Sequence, residues 1–169
     1  MTAESAGAGM GSTFTIYLPA RDAQAYAISS IPSVDRRREA RTVDLEGTHV
    51  LIVDDERDAR ELLRAMLATT GARITEADSA REALRIVSQD WPDLVLADIA
   101  MPGQDGYALM RSMRELSDTN AHCIRAIAVS AYARLEDKQL AERAGFNEHL
   151  AKPIHREELF ETIERLWVH

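Results

Sequence analysis

The sequence predicts an α/β protein in which a doubly wound parallel sheet of five strands is covered by helices on both faces. From about residue 47 onward, short apolar runs alternate with segments in which apolar residues recur every three or four positions. Most of these runs are apolar throughout, as in strands that are buried on both faces. Strands that alternate with helices form parallel sheets, so both observations favour this class.

Five short runs are the predicted strands. The second is the weakest, because polar residues interrupt it, and the fifth is short. The runs are His49–Val53, Ala72–Ala77, Leu94–Ala97, Ala126–Val129 and Glu148–Ala151.

A helix is predicted after each of the first two strands from stripes of apolar residues at helical spacing. Gly71 is a stop signal behind the first helix, and Asp78 or Ser79 can cap the start of the second. The two stripes are Ala59, Leu62, Leu63, Met66 and Leu67, followed by Ala80, Ala83, Leu84 and Val87.

Three further helices complete the predicted alternation. The third runs from about Tyr107 to Leu116, and the fourth passes through Leu140 to Ala144 and stops at Gly145. The last helix has one apolar face, made of Leu159, Phe160, Ile163, Leu166 and Trp167.

Composition excludes several classes of protein. The 169 residues carry a formal net charge of −8, which argues against a nucleic-acid binder, and Arg36–Arg38 is interpreted as part of a solvated linker. Cys123 is the single cysteine, so no intrachain disulfide can form, in keeping with a reducing compartment. The sequence has no apolar run of the ~20 residues that span a bilayer and no secretory signal. We therefore expect a soluble, cytoplasmic protein without membrane contact.

Three zones divide the chain. Residues 1–19 are small and Gly-rich and lead into the strand-like run Thr13–Leu18. Residues 20–46 are mixed and polar and are interpreted as a linker, and residues 47–169 form the α/β domain.

Polar side chains follow four of the five predicted strands. Asp54 and Asp55 follow the first strand, Asp98 the third, Ser130 the fourth and Lys152 the fifth. Each is unremarkable alone, because acidic loops, turn serines and surface lysines are common. Ligands of such folds bind at the carboxyl ends of the strands, so we expect these side chains to converge.

Three converging carboxylates repel one another and need a cation. Oxygen ligands that leave room for water and phosphate suit Mg²⁺, with Asp55 and Asp98 as ligands, Asp54 in support and a backbone carbonyl near Ala100. Asp98 can accept a phosphoryl group as an acyl phosphate. Lys152 and Mg²⁺ would neutralise the transferring oxygens, and Ser130 would donate a hydrogen bond to one of them.

These residues resemble the receiver domains of two-component response regulators. The resemblance spans about residues 47–168, and its motifs are Asp54-Asp55, Asp98–Gly106, Val129-Ser130-Ala131 and Ala151-Lys152-Pro153. It implies a flavodoxin-like (βα)₅ fold and phosphorylation from the phosphohistidine of a histidine kinase or histidine phosphotransferase protein. It also implies signalling through the face made by the fourth helix, the fifth strand and the fifth helix of that fold.

Two positions depart from the family pattern. His149 stands where the family has its switch aromatic, so it is either a weaker or pH-sensitive switch residue or an exposed histidine at the end of a strand. Ala100 offers no polar group to orient a hydrolytic water, and Tyr132, two residues after Ser130, is bulky. We therefore expect slow self-dephosphorylation.

The run Gly7–Pro19 resembles the last strand of the ATP-binding domain of a sensor histidine kinase. This resemblance implies that the chain is the C-terminal receiver of a hybrid histidine kinase. A lone strand is marginal in water, so residues 12–18 are expected to be disordered, docked on the receiver or paired with another chain.

Other functions remain as alternatives. The domain could be a freestanding regulator or a phosphate sink, and it could form a homodimer through the signalling face or the N-terminal strand. The chain ends about two residues after the last apolar position of its final helix, so we expect signalling through protein contacts and not through a DNA-binding output domain. We also expect no separate enzymatic activity. An aspartyl-phosphate phosphatase of the haloacid-dehalogenase type needs a second acid two residues after the nucleophile. In this chain that position is Ala100. A flavodoxin-like nucleotide binder would need a glycine-rich loop after the first strand.

Overall fold

The computed structural model describes residues 2–5, 12–15, 43–116, 123–131 and 135–168. The chain divides into two compact units, residues 1–39 and residues 40–169.

The smaller unit contains a two-stranded antiparallel sheet. Strand β1 (Thr2–Ser5) pairs with strand β2 (Ser12–Thr15), and Thr2 lies opposite Thr15. The predicted strand is thus present over Ser12–Thr15, while residues 16–18 lie outside the described part of the chain. Its partner is a segment of the same chain, which the sequence interpretation did not include because the short run Thr-Ala-Glu-Ser has no apolar signal.

The larger unit is built on one parallel sheet. Its strands are β3 (His49–Val53), β4 (Arg73–Ala77), β5 (Leu94–Asp98), β6 (Arg125–Ser130) and β7 (Glu148–Ala151). They lie in the order β4-β3-β5-β6-β7, and every neighbouring pair is parallel. Counted within this sheet the order is 2-1-3-4-5, which is the flavodoxin-like arrangement. The predicted fold class is therefore confirmed.

Helices cover both faces of this sheet. They are α1 (Arg57–Leu67), α2 (Ala80–Val87), α3 (Gly106–Glu115), α4 (Leu135–Ala144) and α5 (Arg156–Val168). Side chains of α2, α3 and α4 pack on one face, and those of α1 and α5 pack on the other. Alternate strand residues serve the two layers: Leu51 and Val53 face the first, and Val50 and Ile52 face the second. No helix in the described residues has the length and apolar character needed to cross a bilayer.

In α1 and α5 the predicted stripe of apolar residues is wider than the face of the helix that is buried. In α1 the sheet buries Leu63 and Leu67, whereas Leu62 is 51% exposed. In α5 Trp167 is 36% exposed and stacks over the guanidinium of Arg125. A helix that packs on a sheet buries only the central arc of its apolar stripe, so the outer positions stay in contact with solvent.

The core also includes residues from the predicted linker. Val43 and Leu45 are buried against the layer of α1 and α5, and the Leu45 amide donates to the carbonyl of Thr70. The compact unit therefore includes described residues that precede position 47.

Candidate functional site

The strand order brings the predicted polar residues to one edge of the sheet. Strand β5 is central and lies between β3 and β6, and β7 lies next to β6. All of these strands are parallel, so their carboxyl ends, which carry Asp54, Asp98, Ser130 and Lys152, open on the same side.

Three carboxylates form a cluster at this edge. One oxygen from each of Asp54, Asp55 and Asp98 lies within 4.8 Å of the other two. Asp54 and Asp98 are buried, at 1% and 5% exposure, and Asp55 is exposed. Oxygens bound to one octahedral Mg²⁺ ion lie about 3 Å apart when adjacent and about 4.2 Å apart when opposite, so the three carboxylates would draw closer together around an ion. This all-oxygen donor set, open to solvent at Asp55, fits a hard divalent cation that keeps some of its waters.

Lys152 bridges two members of the cluster. Its Nζ lies 2.9 Å from Oδ2 of Asp54 and 3.3 Å from Oδ1 of Asp98. Burial disfavours the charged amine, but the hydrogen bond and charge of Asp54 and the charge of Asp98 outweigh burial and raise the pKa of Lys152. The ammonium group therefore stays charged and offsets part of the repulsion between the two carboxylates.

The environment of Asp98 is less favourable to a negative charge. Burial raises the pKa of the Asp98 carboxyl, Lys152 opposes this effect, and the nearby Asp54 carboxylate adds to it. The backbone N–H of Ala100 donates a hydrogen bond to the Asp98 carboxylate. Asp54 is held by further contacts, because its Oδ1 accepts from the Glu56 amide at 2.9 Å. The two buried acids are thus fixed in place at the carboxyl ends of the neighbouring strands β3 and β5.

The hydroxyl of Ser130 is in contact with His149. Ser130 Oγ and His149 Nε2 are 2.9 Å apart, and the Ser130 carbonyl accepts from the Lys152 amide at 2.7 Å. Burial lowers the pKa of His149, the charge of Lys138 lowers it further, and the charge of Asp137 opposes both. The imidazole is partly buried and contacts Ser130, which differs from the alternative of an exposed histidine at the end of a strand.

Arg60 is a site neighbour that the sequence interpretation missed. Its guanidinium donates to the carbonyls of Asp54 and Asp55, at 2.7 and 3.2 Å, and forms an ion pair with Glu76 at 3.6 Å. It tethers the loop that presents the acidic pair. The sequence feature that could have predicted this role is the position of Arg60 in the first turn of a helix that directly follows two acids at the end of a strand.

Two predicted site positions remain, Ala100 and Tyr132. Ala100 is exposed and follows β5 by two residues, as the prediction of a carbonyl ligand requires, but that role stays a prediction. Tyr132 lies outside the described residues. The peptide bond between Lys152 and Pro153 is cis, which the sequence did not indicate.

Fold and site together define a flavodoxin-like α/β protein with an acidic, lysine-bridged site at the carboxyl edge of its sheet. The family model of the response regulator receiver domain matches residues 50–164, more than half of the chain. The chain belongs to the response regulator receiver domain family.

Two curated relatives illustrate the range of this family. An uncharacterized 14.6 kDa protein of Leptolyngbya boryana is 44% identical over 69% of this chain and 87% of its own length. The sensor histidine kinase RcsC of Salmonella typhi is 30% identical over 86% of this chain, and the chain spans 15% of that kinase.

A solved structure of a receiver domain has a similar fold. The receiver domain of the sensor histidine kinase PA1611 from Pseudomonas aeruginosa PAO1 is 31% identical, with a TM-score of 0.63. The similarity covers 70% of this chain and 95% of that one. That receiver is described with a magnesium ion coordinated in its active-site cleft.

Proposed function

We propose that this chain is the phosphoacceptor of a two-component phosphorelay and receives a phosphoryl group on Asp98. The observation that carries the proposal is the position of the Asp98 carboxylate, clustered with Asp54 and Asp55 and 3.3 Å from the Lys152 ammonium. Transfer of a phosphoryl group to a carboxylate needs a nucleophilic acid, oxygen ligands for a cation and a positive charge near the transferring oxygens, and this edge of the sheet provides all of them.

The chemical step is a transfer between a nitrogen and an oxygen. An Asp98 carboxylate oxygen bonds to the phosphorus of a phosphohistidine, the nitrogen–phosphorus bond breaks, and its electron pair stays on the donor imidazole. Lys152 can neutralise negative charge on the transferring oxygens, because it already lies against Asp98. Ser130 can donate its hydroxyl proton to a phosphoryl oxygen, which stabilises the phosphorylated form.

The acidic cluster is proposed to hold Mg²⁺. Asp54, Asp55 and Asp98, with the main-chain carbonyl of Ala100, would be its protein ligands or their support. When bound, the ion would supply positive charge that offsets the negative charge of the acids and of the phosphoryl oxygens. The magnesium ion described for the PA1611 receiver supports this assignment.

No separate enzymatic activity is proposed beyond self-phosphorylation and self-dephosphorylation. Position 100 is alanine, so the second acid of a haloacid-dehalogenase-type phosphatase is missing. The same alanine cannot orient a water towards the acyl phosphate, and we propose slow self-dephosphorylation for this reason.

A hybrid sensor histidine kinase is the proposed context. The similarity to RcsC covers 86% of the chain, whereas residues 47–169 make up less than three quarters of it, so the alignment reaches into the preceding residues. The paired strands β1 and β2 agree with a remnant of a kinase ATP-binding domain. The partners would then be cytoplasmic: a histidine kinase or a histidine phosphotransferase protein. The output signal would pass through the face made by α4, β7 and α5. This face could alternatively form a homodimer. The rival to the hybrid-kinase context is a freestanding regulator or a phosphate sink.

Incubation with Mg²⁺ and phosphoramidate, a small donor with a nitrogen–phosphorus bond, tests the central proposal. Intact mass should show one phosphate adduct that is absent in Asp98→Asn. Asp78→Asn is a matched control, because Asp78 also follows a strand of the sheet and is exposed. Failure to form an adduct at any Mg²⁺ concentration, or an adduct that persists in Asp98→Asn, contradicts the proposal.

A further inference from the structure

The contact between Ser130 and His149 joins two neighbouring strands. Ser130 lies opposite Ala151 in the register of β6 and β7, and His149 is two residues before Ala151. Residues two apart on a strand point to the same side, so His149 is the diagonal neighbour of Ser130. The separation of 2.9 Å between Oγ and Nε2 is that of a hydrogen bond.

A serine hydroxyl has a single proton to donate. If Nε2 of a neutral imidazole accepts that proton, the proton is not available to a phosphoryl oxygen. If the imidazole is protonated, Nε2–H donates to the lone pair of Oγ and the hydroxyl proton can point elsewhere. The same pair of atoms stays in contact in both states, but the direction of the hydrogen bond is reversed.

Charged groups of two elements surround the imidazole. His149 and Glu148 of β7 line a cleft of about 60 Å³ together with Lys138 and Glu142 of α4. Asp137, one residue before Lys138, has an Oδ2 atom that is buried without a hydrogen-bond partner. Lys138 disfavours the imidazolium and Asp137 favours it. Burial acts in the same direction as Lys138 and holds the pKa below its ordinary value, so the neutral imidazole predominates at neutral pH.

We propose that His149 is a positioning residue that directs the hydroxyl proton of Ser130: the neutral imidazole accepts a hydrogen bond from this hydroxyl, and the protonated imidazole donates to it instead, so that the hydroxyl can donate to a phosphoryl group on Asp98. This inference rests on the proposed phosphoacceptor function. It makes the stability of the phosphorylated state depend on pH through a residue that does not touch the phosphoryl group. By thermodynamic reciprocity, occupation of the phosphoryl site favours protonation of His149.

Binding of beryllofluoride, a phosphoryl analogue, in the presence of Mg²⁺ provides the test. Affinity is measured by calorimetry from about pH 8 to about pH 5, on either side of the ordinary histidine pKa. The ratio of wild-type affinity to that of His149→Phe should rise about three- to tenfold as the pH falls, the contribution of one hydrogen bond. At the upper pH, His149→Phe should bind more tightly than the wild type, because the imidazole no longer competes with the phosphoryl analogue for the Ser130 hydroxyl proton.

Two further variants serve as controls. His149→Gln keeps a hydrogen-bonding side chain that does not titrate, so its pH profile should follow that of His149→Phe. His155→Phe removes an exposed histidine and should retain the wild-type profile.

Nitrogen NMR of His149 in the metal-free protein at neutral pH gives an independent readout. We expect the tautomer that carries its proton on Nδ1, with Nε2 as the acceptor. An Nε2–H tautomer, or a wild-type affinity profile that matches His149→Phe, overturns the inference and leaves the phosphoacceptor function intact. Absence of beryllofluoride binding in every variant at every pH overturns the proposed function as well.

Discussion

A β-carbon on Gly106 would lie 2.3 Å from the main-chain oxygen of Asp98 and 2.9 Å from the Cα of Ile99. Helix α3 thus begins directly against the end of β5, and the Gly106 amide donates to the Ile99 carbonyl at 3.0 Å. The end of β5, which carries Asp98, and the start of the next helix can come this close only because Gly106 has no side chain.

Gly106→Ala should destabilise the protein by about 3 kcal/mol or more, because the obstructing atoms are backbone and cannot rotate away. Gly103→Ala is the matched control. Gly103 has φ of +84° but open space around it, so only the left-handed backbone is strained, at about 1 kcal/mol. Urea unfolding measures both. Equal losses for the two variants would contradict the steric argument.

Asp55→Asn should lower the affinity for Mg²⁺ about tenfold or more, because it removes one of three clustered carboxylates. Asp55 is exposed, so the fold should survive the change. Calorimetric titration of the metal measures the effect. Asp78→Asn, which alters an aspartate outside the cluster, should leave the affinity nearly unchanged, and a similar loss in both variants would argue against a site at Asp55.

Lys152→Ala should raise the affinity for Mg²⁺ while it slows phosphorylation. The ammonium group competes with the cation for Asp54 and Asp98, and repulsion of about 1 kcal/mol corresponds to an increase of about fivefold. Loss of its charge from the transferring oxygens should cost about a hundredfold in rate. Arg111→Ala, which removes an exposed positive charge on α3, is the control, and calorimetry with phosphoramidate kinetics measures both effects. Parallel losses of affinity and rate would show that Lys152 acts through structure instead.

Arg114→Ala should destabilise the domain by about 2 kcal/mol. The guanidinium donates to the carbonyl of Gly145 at 3.2 and 2.8 Å and to that of Ile124 at 2.8 Å. It therefore ties α3 to the turn after α4 and to the residue before β6. Arg111→Ala, an exposed position on the same helix, should change the free energy of unfolding by less than about 0.5 kcal/mol. Indistinguishable urea midpoints would refute the role of this contact.

The pKa of His149 also predicts a pH effect on stability. Burial and the charge of Lys138 lower this pKa in the folded protein, so the unfolded chain binds the proton at higher pH. The free energy of unfolding of the metal-free protein should therefore fall as the pH drops from about 6.5 through the lowered value. His149→Phe should lack this component, and His155→Phe should keep it. Urea unfolding of the wild type and of both variants across this pH range measures the effect. If the wild type and His149→Phe lose stability equally as the pH falls, His149 titrates alike in the folded and unfolded protein and the prediction is wrong.

Much of the larger unit was predictable from the sequence. All five strands of the parallel sheet were placed to within a residue, because apolar runs buried on both faces stand out against helical periodicity. Ser79 was named as a candidate N-cap, and its hydroxyl accepts from the Glu82 amide at 3.3 Å. The convergence of Asp54, Asp98 and Lys152 was predicted from one rule, since the carboxyl ends of parallel strands open on one side.

Other features lacked a local signal. Val43 and Leu45 stand in a polar segment, and only their packing against α1 and α5 identifies them as core. Strand β1 contains no apolar pattern and is defined by pairing with β2. The spacing of Leu62 matches that of the buried residues of α1, and it is exposed only because the sheet covers a narrower part of this helix.

The amino-acid sequence alone was enough to predict the α/β class, the family and the residues gathered at the site, because these depend on hydrophobic periodicity and on the residue types at the strand ends. The folded arrangement was needed to show that Lys152 bridges Asp54 and Asp98, that Gly106 lies against Asp98, and that His149 meets Ser130. Such contacts depend on strand register and helix placement to within about 1 Å, since hydrogen bonds weaken and overlaps arise over that distance. No local pattern in the sequence encodes positions so finely.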